Sequence, residues 1–271
     1  MIKIEDEVVE VNKFPDSTLL LKQYVHGNWH NYQIEVKWFF ENNEELVTLI
    51  YLVKHLHSHG IKNISLSMPY IPNARQDRVK ELDDVFTLKY FADVINWLDF
   101  NSVYVLDPHS HVSEALIDRV LVHSPRSFIH QAYVRMEENH DFDNTHTMLF
   151  FPDEGAMKRY SGMFEHPYAF GIKKRDWATG KIEGLDIAGC AEKIKDSRIL
   201  IVDDICSRGG TFYHSAKKLK ELGAKEIYLY VTHCENTILE GDLLTSGLIE
   251  KVFTTNSIFT KEHEKIEVFE I

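Results

Sequence analysis

The sequence predicts an α/β protein built on mainly parallel sheets. Short apolar runs alternate with longer segments whose apolar residues recur at helical spacing, and the runs end in polar loops. The clearest instance runs from Ile199 to Thr211. An apolar run ends in Asp203 and Asp204, passes the small turn Ser207-Arg208-Gly209-Gly210, and enters an amphipathic segment at Thr211. In open α/β sheets the carboxyl end of a strand is where ligands bind.

Taken in order, the chain opens with short alternating runs at Val8 to Val11 and Leu19 to Val25. The turn Phe14-Pro15-Asp16-Ser17 separates them. Glu44 to His59 carries Leu46, Leu49, Ile50, Val53 and Leu56 at helical spacing, and Gly60 stops it. Ile64 to Met68 reads as a strand leading into a polar loop through Arg75, Gln76 and Asp77. Asp84 to Leu98 is predicted as a helix with Phe86, Tyr90, Phe91, Val94 and Leu98 on one side. Val103 to Leu106 is a strand that ends in Asp107-Pro108-His109-Ser110. The pattern restarts near Val122 to Arg126, which puts the domain boundary between residues 125 and 126.

In the second half, Ser127 to Glu138 is predicted helical and Asp141 to Thr147 a polar connection. Met148 to Phe151 is a strand ending at Asp153, and Tyr168 to Ile172 a strand ending in Lys173-Lys174-Arg175. Asp176 to Gly189, charged and without a clear period, reads as a mobile loop. After the opening strand comes a helix from Thr211 to Leu222 with Phe212, Ala216, Leu219 and Leu222 inward. Ile227 to Val231 is a further strand.

With 44% hydrophobic and 27% charged residues, the 271-residue chain has the composition of a soluble globular protein. Its formal charge of −12 gives a surface that repels nucleic acid and anionic membranes, so neither is an expected partner. Anionic substrates would be met by local cations or by a bound metal. Cys190, Cys206 and Cys234 are too few and too scattered for a disulfide scaffold or a structural zinc site. The N-terminus has no signal-type apolar core and no window approaches a membrane span, so the cytoplasm is the expected location.

Five predicted strand ends carry polar clusters: Arg75-Gln76-Asp77, Asp107 with His109, Asp153, Lys173 with Arg175, and Asp203-Asp204. Each has a plain reading as a solvated turn or a helix cap, but five together point to converging sites. The glycine turn lacks the lysine and spacing of a Walker loop and the Gly-x-Gly-x-x-Gly dinucleotide pattern, which excludes those two classes. Such a turn can aim backbone N–H groups at a phosphate while the two acids hold sugar hydroxyls. Lys173 and Arg175 suit a transferring phosphoryl group, and Asp107 with His109 a hard cation or a phosphate. The His-x-His spacings among His57, His59, His109 and His111 are weak metal signals, and His57, His59 and His111 read as surface residues.

Together these motifs resemble the ribose-phosphate pyrophosphokinase (phosphoribosyl pyrophosphate synthetase) family. Val202 to Thr211 is similar to the phosphoribosyl-binding signature of type I phosphoribosyltransferases. Asn73-Ala74-Arg75-Gln76-Asp77-Arg78 is similar to the synthetases' Tyr-Ala-Arg-Gln-Asp-Arg, and Asp107-Pro108-His109-Ser110 to their Asp-Leu-His-Ala. Phe151-Pro152-Asp153-Glu154-Gly155 resembles Ser-Pro-Asp-x-Gly, Lys173-Lys174-Arg175 resembles Lys-x-Arg, and Phe14-Pro15-Asp16 resembles the start of Phe-x-Asp-Gly-Glu. Order and spacing hold from about Phe14 to Ile271.

The resemblance implies two type I phosphoribosyltransferase-like domains, 1–125 and 126–271, and transfer of the diphosphate of Mg²⁺-ATP to the C1 hydroxyl of ribose 5-phosphate. It implies that Asp203 and Asp204 hold the ribose hydroxyls, with Asp153 near C1. Ser207, Arg208, Gly209, Gly210 and Thr211 would hold the 5-phosphate, and Lys173 and Arg175 the transferring group. Arg75, Gln76, Asp77 and His109 would contact ATP, and Asp107 with His109 would place Mg²⁺. Phe14 and Asp16 would grip adenine from a neighbouring subunit, which implies a homo-oligomer, at least a dimer. Three departures stand out. Ser207-Arg208 replaces the usual Asp-Thr, Thr18 stands where a glutamate is usual, and the family's first strand–helix unit and terminal helix are expected to be missing. The competing expectations are a phosphoribosyltransferase, which would need only the C-terminal half, and a non-catalytic synthetase-associated subunit.

Overall fold

The computed structural model describes residues 1–138, 146–175 and 182–271, without the side chains of 173–175 and 182–185. The chain divides into two compact units, Met1–Ser124 and Pro125–Ile271.

In the first unit the strands are β1 (Ile2–Ile4), β2 (Glu7–Val8), β3 (Glu10–Lys13), β4 (Leu19–Lys22) and β5 (Ile34–Trp38). Helix α1 (Glu44–Ser58) follows, then β6 (Ile64–Ser67), α2 (Thr87–Trp97), β7 (Ser102–Leu106), α3 (His111–Leu116) and β8 (Val120–His123). Six strands form one sheet in the order β2-β1-β5-β6-β7-β8 among the described residues. From β5 to β8 all pairings are parallel, while β1 runs antiparallel to both of its neighbours. Strands β3 and β4 form a separate antiparallel hairpin. Helix α1 buries Leu49, Leu52, Val53 and Leu56 at the spacing the sequence predicts. Just past its end, Gly60 takes a left-handed φ of +81°. Trp29 and Trp38 are core residues of this unit.

Helix α2 starts three residues later than expected. The Asp84 carboxylate accepts from the Lys80 and Glu81 N–H groups at 2.8 and 3.0 Å, which closes a turn ahead of the helix. Its buried face is Leu88, Phe91, Ala92 and Ile95, and Tyr90 is exposed.

The second unit contains α4 (Arg126–Glu138), β9 (Thr147–Phe151), α5 (Glu154–Tyr160), β10 (Tyr168–Arg175), β11 (Ile182–Gly189), β12 (Arg198–Cys206), α6 (Gly210–Glu221), β13 (Glu226–Cys234), β14 (Lys251–Thr255) and β15 (Ile266–Phe269). Among the described residues its seven strands lie in the order β11-β10-β9-β12-β13-β14-β15. Every pairing is parallel except that of β10 with β11. Alternate residues of β12 and β13 feed two cores. Ile199, Ile201, Ile227 and Leu229 pack with Phe212, Ala216 and Leu219 of α6. Leu200, Val202, Tyr228 and Tyr230 pack with Ile129, Ala132 and Met136 of α4 and Tyr160 of α5. Both faces are thus covered, as parallel sheets require.

Two expectations are corrected here. Residues 182–189 are a strand, not a loop: β11 pairs with β10 from Ala169↔Gly189 to Arg175↔Ile182. A register shift between Lys174 and Arg175 leaves Glu183 unpaired, so the apolar alternation slips phase and hides the strand. Residues 176–181 of that expected loop, and 141–145 of the expected polar connection, lie outside the described residues. Leu222, expected inward on α6, is exposed.

Candidate active site

The second unit brings three strand ends together. In the order β10-β9-β12, Ile201 of β12 pairs with Phe150, and Phe151 of β9 pairs with Phe170. Because all three strands run the same way, Asp153, Lys173 and Asp203 lie toward one carboxyl end of the sheet, although Lys173 and Asp203, expected beyond the strand ends, are still paired within β10 and β12. Lys173 and Arg175 lie on the backbone of β10, and their side chains lie outside the described residues.

Asp203 and Asp204 differ in partners. Asp204 is buried, and its Oδ2 accepts from Arg159 of α5 at 3.2 Å. The sequence reading missed Arg159. Its partner Asp204 lies 45 positions away, and no local pattern links the two. Among the described residues Asp203 has no such counter-charge: its Oδ1 accepts the Asp204 N–H at 3.0 Å. Burial, then the neighbouring Asp204 and Asp153 charges, push the Asp203 carboxyl well above the usual carboxylate range. An acid held this way is poised for a partner that brings positive charge or hydroxyl donors. Asp153 caps α5, its Oδ1 accepting the Ala156 N–H at 3.1 Å.

The turn Ser207 to Gly210 leads straight into α6, so it sits at the helix end where N–H groups lack intrahelical partners. Gly209 has φ +80°, and a side chain there would meet Leu243 at 2.9 Å. Gly241 is tighter still, since a Cβ would lie 1.9 Å from the Arg208 carbonyl oxygen. The segment after β13 therefore backs the turn closely. It also supplies Glu240, whose Oε2 accepts from an Arg208 terminal nitrogen at 2.9 Å. Beneath the turn Cys206 and Cys234 face each other in register and are both fully buried. A hydrogen bond between the sulfurs, and burial, push the Cys206 thiol up.

The first unit gathers a second cluster on the loops after β6 and β7. Asp77 is buried, and its two oxygens accept from Arg78 at 2.6 and 2.9 Å. Arg78, with the Ser110 hydroxyl and the His109 charge beside it, holds the Asp77 carboxyl down at about 2. Asp107 is buried with φ +43°, a conformation that Asp tolerates better than most residues. Its N–H donates to the His123 carbonyl at 3.1 Å. Arg75 and Gln76 are exposed, and the Gln76 amide oxygen accepts from the Thr87 hydroxyl at the start of α2. Phe14 and Asp16 sit apart from this cluster in sequence, on the β3–β4 turn, and both are exposed. Asp16 accepts the Thr18 N–H and hydroxyl at 3.0 and 2.7 Å, bonds that hold its carboxyl low.

Residues 165–248 match the phosphoribosyl transferase domain family, a span that includes the glycine turn, α6 and the segment behind them. Along more of its length the chain matches the ribose-phosphate pyrophosphokinase of Thermococcus kodakarensis, with 26% identity over 93% of this chain and 86% of that protein. The chain is a diverged relative of the ribose-phosphate pyrophosphokinases. The Bacillus subtilis ribose-phosphate pyrophosphokinase is 29% identical over 84% of this chain and 70% of its own length. The crystal structure of phosphoribosylpyrophosphate synthetase from Mycobacterium smegmatis has the same fold, with TM-score 0.79 at 18% identity, over 97% of this chain and 86% of that one. The expected fold class is therefore the observed one: mixed α/β units on largely parallel sheets. No helix among the described residues is long and apolar enough to cross a membrane.

Proposed function

We propose that this chain is a ribose-phosphate diphosphokinase that moves the diphosphate of ATP onto the C1 hydroxyl of ribose 5-phosphate and releases AMP. The observation that carries this reading is the carboxyl end of the sheet shared by Asp153, Asp203 and Asp204 beside a glycine turn, in a chain similar to pyrophosphokinases over both units. In the second unit Asp203 and Asp204 hold the ribose hydroxyls, and the turn from Ser207 to Thr211 takes the 5-phosphate. Asp153 lies nearest C1. Lys173 and Arg175 stabilise the transferring phosphoryl group, whose charge spreads over its outer oxygens. Little covalent chemistry is left to the protein, so catalysis is positioning plus charge stabilisation.

In the first unit Arg75, Gln76, Asp77 and His109 contact ATP. Magnesium fits the donor set there. It binds through one or two carboxylates plus substrate phosphates, so the buried Asp107 is enough protein ligand, with His109 beside it. When bound, the ion screens the triphosphate and polarises the bridging oxygen. Phe14 and Asp16 present an exposed ring and carboxylate that suit an adenine of a second copy, so the working form is at least a dimer.

The similarity to pyrophosphokinases extends through the first unit, which a phosphoribosyltransferase would not need. The test is direct. Protein, ribose 5-phosphate and Mg²⁺-ATP are mixed with inorganic phosphate present, and AMP is measured. Stoichiometric AMP and phosphoribosyl pyrophosphate are expected. Absence of AMP from folded protein would overturn the reading.

A further inference from the structure

We propose that Glu240 sets the affinity of the glycine turn by competing with the ligand's phosphate for the Arg208 guanidinium. The inference rests on the ribose 5-phosphate site proposed above and assigns the phosphate affinity of that site to a residue outside the turn. Three observations carry it. One terminal nitrogen of Arg208 donates to Glu240 at 2.9 Å, so the guanidinium is held but keeps its other donors. The side chains are 72% and 58% exposed, so the pair stands in water, where an ion pair is weak and exchangeable. The backbone behind them is fixed. Gly241 lies against the Arg208 carbonyl and Leu243 against Gly209, so the Glu240 backbone stays beside Arg208.

The consequence is a turn whose only side-chain cation is already neutralised. A phosphate entering the turn has to displace the carboxylate or share the guanidinium with it, and both routes cost affinity. A doubly charged phosphate is the stronger competitor, because its interaction with arginine is charge-assisted and bidentate. Free phosphate gains only the turn. Ribose 5-phosphate also brings hydroxyls to Asp203 and Asp204, and so tolerates the penalty that Glu240 imposes. Glu240 thereby weakens both ligands alike, and the sugar phosphate stays bound through its hydroxyls.

Calorimetric titration with ribose 5-phosphate, ribose and inorganic phosphate tests this on the full chain at low salt. Glu240→Gln is expected to lower the Kd for both phosphate-bearing ligands by about fivefold, the upper range for an exposed ion pair. It should leave ribose unchanged, and Glu240→Asp should restore the original values. In an Arg208→Ala background the gain should vanish, and in turnover it should appear in KM for ribose 5-phosphate. An unchanged or weaker Kd in Glu240→Gln, or the same gain without Arg208, would overturn the proposal. If the unaltered protein binds no ribose 5-phosphate, the site itself is wrong and the inference goes with it.

Discussion

Asp203 and Asp204 are adjacent in the chain yet held in opposite electrostatic conditions, one paired with Arg159 and the other pressed by burial and two carboxylates. A carboxyl raised above its ordinary value binds its proton more tightly in the folded state. Its stabilising contribution is complete below the ordinary carboxylate range and is lost as pH rises through the raised value. At neutral pH an ionised Asp203 is therefore a cost to the empty protein. Asp203→Asn is expected to raise the melting temperature while abolishing ribose 5-phosphate binding. A lower melting temperature would contradict this account. Lys173→Ala is expected to slow AMP release by about 100-fold or more, on the scale of lost oxyanion stabilisers. It should largely spare ribose 5-phosphate binding, and equal loss of both would remove the role assigned to Lys173. The acids and the turn were legible in the sequence because their chemistry is adjacent in the chain. Arg159 and Glu240 were not, since each reaches its partner across 45 and 32 positions respectively.

At the scale of elements, periodicity identified α1, α6, β9 and the β12–α6 passage, where each face is consistently apolar or polar. It failed where a local backbone event broke the pattern. The Asp84 turn delayed α2, and the register shift beside Arg175 hid β11. The segment from Asn236 to Leu244 carries no periodic signal, yet its Gly241 leaves no room for a Cβ against the Arg208 backbone. Adding one methyl group there tests its role. Gly241→Ala is expected to destabilise the second unit by about 1–3 kcal/mol, as overpacking does, and to weaken ribose 5-phosphate binding in parallel. Gly210→Ala, with nothing within 4 Å of its added Cβ, should leave stability intact. A calorimetric scan of the two variants separates contact from mere glycine replacement.

For the whole molecule, stability toward acid draws on Asp77. Its carboxyl is held at about 2 by Arg78, so its contribution is complete above the ordinary carboxylate value and fades as pH falls toward 2. Asp77→Asn is expected to cost about 1–2 kcal/mol at neutral pH, allowing for solvent around Arg78, and nothing near pH 2. Urea titrations at both pH values check the sign. Sedimentation of the active protein tests the proposed shared adenine site, because an active monomer would remove it. The buried thiols under the glycine turn offer a last readout. Cys190 is partly exposed, whereas Cys206 and Cys234 have no accessible surface. An alkylating reagent should therefore modify Cys190 promptly and the inner pair only during excursions that lift the turn from the sheet. Their labelling clock times that opening without any added probe, and saturating ribose 5-phosphate should stop it.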